Sequence, residues 1–262
     1  MASVLDRAAA PPDETTAYGE EPDQIYDVRQ PTGPPRGVTV IVVHGGFWRP
    51  ATDRSHTGSE AVAFAQDGFH VVVPEYRRAA RGGWPAMRAD LRDVVAAVAA
   101  RTDLPDRVVL VGHSAGGHLV AWLAAQPETH GVVGTVALAG CVDLHLVHEL
   151  GLGAGAAEAL MGSTPEKDPA GWEQADPARL GGPPAPVVAI HGTRDEHVPL
   201  SISQSYTAAV PSTRLRVIDG ADHFDVIDPQ SAAFAIVRAA VSELADPTDL
   251  ADPADLAGGR ER

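Results

Sequence analysis

The sequence predicts a single α/β domain with a mainly parallel central sheet flanked by helices. Three observations predict it. Short β-branched apolar runs recur along the chain, segments of helical spacing alternate with them, and a serine between glycines leaves one run directly and opens the next helix. Continuous apolar runs suit strands covered on both faces, and their alternation with helices calls for right-handed parallel crossovers. With 262 residues and 44% hydrophobic content the chain can bury a large core, and the spacing fits one domain over residues 17–244 better than two.

In chain order, residues 1–16 are polar and proline-punctuated and read as a disordered N-terminus. Residues 24–28 offer an edge strand before the turn-rich stretch 31–35. Further strands are predicted at 38–43, 69–73, 108–111, 132–138, 187–190 and 215–218, with helices at 59–66, 87–100, 115–125, 201–209 and 231–244. Residues 144–182 break the alternation with short helical pieces amid Gly, Pro and charge, and read as a short lid-like insertion or pocket wall. Residues 245–262 repeat one acidic hexamer nearly twice, too few copies for a solenoid, and read as a disordered acidic tail.

The formal net charge is −15 and Lys167 is the only lysine, which argues against nucleic acid or an anionic membrane surface as a partner. The first residues lack a basic n-region and an apolar h-region, and no later run approaches a membrane span, so a cytoplasmic protein is expected. Cys141 is the single cysteine, which excludes an intrachain disulfide and reads as a small apolar filler. The sequence leaves the oligomeric state open, a homodimer among the options.

The stretch Gly112-His113-Ser114-Ala115-Gly116-Gly117 follows the run at 108–111 and leads into the apolar helical segment around Leu119 to Ala125. A lone G-x-S-x-G specifies little; strand before and helix after make it a nucleophile elbow, in which a strained turn lifts a serine hydroxyl clear of its neighbours. A serine nucleophile needs a base, and the base an orienting carboxylate. Asp195 lies just beyond the run at 187–190, with Glu196 as a rival carboxylate. His223 lies beyond the run at 215–218, with His191 and His197 as rivals and Asp222 as a solvated neighbour. The order Ser114, Asp195, His223 places nucleophile, acid and base in three loops at the carboxyl ends of strands, where open α/β sheets form their functional crevice. The run at 38–43 leads into His44-Gly45-Gly46-Phe47-Trp48, where glycine backbone N–H groups, with that of Ala115, can hold an oxyanion; His44 reads as a brace for this loop. Phe47, Trp48, Trp84 and Trp172 are candidate aromatic pocket walls. His113 and His118 have no second ligand at metal spacing, so no metal and no other cofactor is expected.

From about residue 18 to 224 the chain resembles the α/β-hydrolase superfamily, in the branch that holds kynurenine formamidases (arylformamidases) and hormone-sensitive-lipase-like esterases. His44-Gly45-Gly46-Phe47-Trp48 is similar to the formamidase H-G-G-x-W pattern; Tyr18-Gly19 with Gln24 and Asp27, Glu75-Tyr76-Arg77 and residues 112–118 resemble other shared elements. Phe47 stands where esterases of the branch carry a third glycine, which leans toward the formamidases. The resemblance implies an α/β-hydrolase fold and a cytoplasmic serine hydrolase of a small acyl substrate, such as N-formylkynurenine cleaved to kynurenine and formate in tryptophan catabolism. A generalist carboxylesterase is the alternative; a noncatalytic ligand-binding protein of the same fold is a third reading, against which the full Ser114, Asp195, His223 set argues.

Overall fold

A computed structural model describes residues 4–127, 129 and 131–246. Eight strands form one sheet: β1 (Glu14–Ala17), β2 (Ile25–Arg29), β3 (Thr39–Val43), β4 (His70–Pro74), β5 (Val108–His113), β6 (Val132–Leu138), β7 (Val187–Gly192) and β8 (Arg214–Ile218). Their order is β1-β2-β4-β3-β5-β6-β7-β8, antiparallel from β1 to β4 and parallel elsewhere. The mainly parallel sheet flanked by helices is the predicted architecture.

Side-chain alternation along the central strands divides the core between the two faces. Ile41 and Val43 of β3, Val108 and Leu110 of β5 and Ala137 of β6 join the apolar layer that includes α2 (Gly83–Ala99) and α3 (Ala115–Ala124). Val40 and Val42, Val109 and Val111, and Val136 and Leu138 face the layer of α1 (Gly58–Gln66) and α8 (Ala232–Ala245). Every residue of α3 is buried, because the helix is sandwiched between the sheet and other helices, and its sequence is correspondingly apolar all round.

Three expectations are corrected. Residues 4–16 are not without structure: a 3-10 turn (Val4–Asp6) leads to β1, which pairs with β2 and extends the sheet edge. The helix predicted at 87–100 begins four residues earlier, with Gly83, Trp84 and Pro85 in the first turn of α2; Pro is tolerated there because its missing N–H has no partner to lose. The segment 144–182 forms α4 (Leu144–Glu149), α5 (Ala156–Met161) and α6 (Pro169–Ala175), and Leu144, Val147, Leu160 and Trp172 enter the core layer on α2 and α3. It is an integral packed layer. The tail predicted at 245–262 lies outside the described residues from 247 onward. Among the described residues no helix is long and apolar enough to cross a membrane.

Candidate active site

Register brings the loops together. Thr39 pairs with Val108 and Val43 with Gly112, so the loop after β3 emerges beside the turn after β5. His113 pairs with Leu138, Leu138 with Ile190 and Gly192 with Ile218, so the loops after β7 and β8 open on the same edge.

Ser114 sits between β5 and α3 with φ 57° and ψ −118°, a left-handed conformation costly for any residue with a Cβ. The turn is held from several sides: Ser114 N–H donates to the Leu138 carbonyl at 2.8 Å, and the Ser114 carbonyl accepts from Cys141 N–H at 3.0 Å and His118 N–H at 3.2 Å. Gly116 is required by proximity, since a Cβ there would lie 2.0 Å from the Val43 carbonyl oxygen. Cys141 is buried behind the serine; burial pushes its thiol up to about 12, against a hydrogen bond with Ser114, so it stays protonated.

Asp195 lies in the turn that follows β7. One carboxylate oxygen accepts from the backbone N–H groups of His197 at 2.9 Å and Val198 at 2.8 Å, an Asx turn that fixes its position. The other accepts from His223 Nδ1–H at 2.6 Å and lies 3.2 Å from His191 Nε2. Burial opposes its ionisation, but hydrogen bonds from His191 and His223, the charge of His223 and the Val198 N–H prevail and hold the carboxyl well below the usual range. With Nδ1 donating to Asp195, neutral His223 keeps Nε2 as its acceptor. Of the rivals, Glu196 is exposed, and His191 is fully buried, its ring bound to Ser203 Oγ and the Val198 carbonyl, each at 2.8 Å. His197 packs its ring 5.1 Å from that of His223, and Asp222 is an exposed turn residue accepting from Phe224 and Asp225 N–H.

A cavity of about 160 Å³ is lined by Leu5, Gly46, Phe47, Thr52, His56, His113, Ser114, His197, His223 and Phe224. Ser114 and His223 thus share one chamber, with part of the glycine loop in its wall. Phe47 and Trp48 both have positive φ, at 50° and 58°, and their rings meet edge-on with centroids 6.4 Å apart. Phe47 reaches the cavity, while Trp48 is fully buried, edge-on to His118 with centroids 5.3 Å apart. Trp84 packs against His118 and Trp122, and Trp172 against His145 and His148. Of the four aromatic candidates, only Phe47 is a cavity wall; the three tryptophans fill the core because indoles of this size find their partners between layers. The insertion does not line this cavity. It backs Phe47 through Gly153, and Arg49 donates to the Gly153 carbonyl.

His44 braces the glycine loop as expected: its Nε2 is 2.9 Å from Glu75 Oε1, and Tyr76 O–H donates to its carbonyl at 2.8 Å. Glu75 also collects Arg54 and Tyr76 N–H groups and the Arg78 guanidinium.

Sequence reasoning missed four wall residues, Leu5, Thr52, His56 and Phe224. His113 Nε2–H donates to the His223 carbonyl at 2.9 Å, and His56 Nε2–H donates to His113 Nδ1 at 3.0 Å. Burial, then the neighbouring His44 and His223 rings, lowers His56 to about 4, and burial holds His113 well below the imidazole range, so both rings are neutral and their tautomers are set. No motif carries His56, because the signal is a contact across 57 residues.

The family described as BD-FAE matches residues 24–210 of the chain. The chain is 29% identical over 133 residues to a kynurenine formamidase of Salmo salar, covering 48% of this chain and 45% of that protein. It is 31% identical over 113 residues to a kynurenine formamidase of Danio rerio, covering 43% and 38%. The matched stretch thus spans less than half of the length of these curated relatives. A solved structure of a truncated carbohydrate esterase from gut microbiota superposes with a TM-score of 0.78 at 17% identity, covering 91% of this chain and 99% of that one. At that identity the likeness speaks for the fold, which is the α/β-hydrolase fold.

Proposed function

The chain belongs to the BD-FAE family, and from that premise we propose that it is a serine hydrolase that cleaves a small acyl amide or ester, foremost an aryl formamide, through an acyl-enzyme on Ser114. The observation that carries this reading is the Asp195–His223 hydrogen bond of 2.6 Å, with His223 sharing a chamber with a serine at a strained elbow. His223 Nε2 takes the Ser114 proton as Oγ attacks the carbonyl carbon. Backbone N–H groups of Gly45, Gly46 and Ala115 hold the oxyanion, and His223 then gives its proton to the leaving nitrogen or oxygen. Water, deprotonated by the same histidine, attacks the acyl-enzyme and releases the acid and Ser114. Asp195 keeps Nδ1 protonated and stabilises the imidazolium formed in each half-reaction.

A chamber of about 160 Å³ suits a formyl or short acyl group, and the partial likeness to kynurenine formamidases supports an arylamine leaving group. N-formylkynurenine would yield formate and kynurenine. The test is parallel kinetics on N-formylkynurenine and short p-nitrophenyl esters, with Ser114→Ala as control. A formamide kcat/KM of about 10⁴ M⁻¹s⁻¹ or more supports the formamidase reading. Ester turnover alone assigns a generalist carboxylesterase; silence on both overturns the proposal.

A further inference from the structure

We propose that the N-terminal arm, residues 4–13, is a fixed wall of the acyl chamber and that Leu5 sets the length of acyl chain the chamber accepts; this rests on the serine hydrolase reading above. Leu5 is 43% exposed, yet it lines the same cavity as Ser114, His223, Phe47 and Phe224. Its neighbours are anchored on both sides. Val4 is 6% exposed and sits in the apolar layer with residues of α1 and α8. The Arg7 guanidinium grips both carboxylate oxygens of Asp228, which lies five residues beyond His223, so the arm is tied to the loop that carries the base. Ala9 packs on Gly58 at the start of α1, Arg29 donates to the Pro11 carbonyl at 3.0 Å, and Asp13 N–H donates to the Val28 carbonyl at 2.9 Å. A segment held at this many points has already lost its backbone freedom, so Leu5 meets the substrate as a positioned wall rather than a loose end.

Chemistry assigns this chamber to the acyl side. The acyl carbon is bonded to Ser114 in the intermediate, so its chain occupies the space Ser114 lines. The leaving group receives its proton from His223, and a second groove of about 320 Å³, lined by Arg194, Glu196, His197, Asp222, His223 and Phe224, opens on that residue without Ser114. The chamber wall is apolar at Leu5, Phe47 and Phe224, whereas the groove is rich in charge.

Leu5→Ala removes about three carbon atoms from that wall, and one methylene in an apolar pocket is worth about tenfold or more in discrimination. The experiment measures kcat/KM for p-nitrophenyl acetate, butyrate and hexanoate, and for acetate esters of several alcohols, in wild type, Leu5→Ala, Leu5→Trp and Leu5→Met. The expected result is a hexanoate-to-acetate ratio raised about tenfold by Leu5→Ala, a lowered butyrate-to-acetate ratio in Leu5→Trp, the wild-type profile in Leu5→Met, and leaving-group preference unchanged throughout. Unchanged acyl ratios, or a shift in leaving-group preference instead, overturn the proposal. Calorimetric binding of butyrate and hexanoate gives a readout without turnover: Leu5→Ala must favour hexanoate relative to wild type, and equal relative affinities overturn the arm's role. Absence of ester and formamide turnover in wild type overturns the hydrolase reading instead.

Discussion

Replacing Gly45 by alanine tests whether the loop after β3 works as an oxyanion site. A Cβ at Gly45 would lie 2.8 Å from the His113 carbonyl oxygen and 2.9 Å from Ser114 Cβ, about half an ångström inside ordinary contact. Neither neighbour can yield cheaply. The carbonyl belongs to the last residue of β5, and the Cβ belongs to a residue already strained at φ 57°. The loop must therefore move away from Ser114 and take its N–H groups with it. Loss of one such donor costs about 100- to 1,000-fold in kcat, or about 2.7–4 kcal/mol of transition-state stabilisation. Overpacking by one methyl costs about 1–3 kcal/mol of stability, and a domain of this size loses about 2–4 °C of Tm per kcal/mol. The assay is kcat on saturating p-nitrophenyl acetate with Tm by circular dichroism. Gly37→Ala is the control: Gly37 has φ 66° and nothing within 4 Å of a Cβ, so it lowers stability through strain alone and leaves kcat intact. A Gly45→Ala enzyme with kcat within about threefold of wild type would refute the reasoning.

Further outcomes follow from the same geometry. Ser114→Ala abolishes turnover while the chain still unfolds cooperatively; retained activity removes Ser114 from the mechanism. Asp195→Asn sets an amide against His223 Nδ1 and favours the wrong tautomer, so kcat falls about 10³- to 10⁴-fold, and a loss under about tenfold contradicts the assigned role. Because Asp195 is held well below the usual carboxylate range, it stays ionised as pH falls and adds no proton of its own to the acid limb of kcat/KM; a two-proton limb would contradict this. Glu60 in α1 is fully buried with neither oxygen hydrogen-bonded, and burial raises its pKa well above the ordinary value. The folded chain holds a proton there that the unfolded chain releases above about pH 4.3, so the contribution of this group to stability is greatest below that pH and declines by about 1.4 kcal/mol per pH unit as pH rises toward the folded value. Glu60→Gln removes that slope, and urea denaturation from pH 5 to 8 must show the variant gaining on wild type; parallel curves defeat the argument.

The features legible in the sequence are those carried by local chemistry. β-branched runs marked β2 to β8 within a few residues of their ends, because a strand covered on both faces must be apolar along its length. The elbow at Ser114 was legible because its turn needs glycines on both sides: Gly112 lies against the Gly116 carbonyl and Gly116 against the Val43 carbonyl of β3, with no room for a Cβ at either. Asp195 and His223 were legible as loop residues beyond two strands, since position along a parallel sheet sets which end a loop joins. Other decisions are made by packing across long separations. The choice of Asp195 over Glu196 rests on where one turn aims two adjacent carboxylates. The sequence pattern at 1–16 lacks hydrophobic periodicity, yet Val4 joins the apolar layer that includes α1 and α8, and Arg7 and Ala9 find partners 221 and 49 residues away at Asp228 and Gly58. Trp48, Trp84 and Trp172 look like pocket aromatics along the chain, and only the stacking of layers sends them inward while Leu5 takes a place in the wall. Strand, helix and elbow express preferences of neighbouring residues and so can be read along the chain; a cavity is bounded by residues distant in sequence, and its shape exists only once they pack.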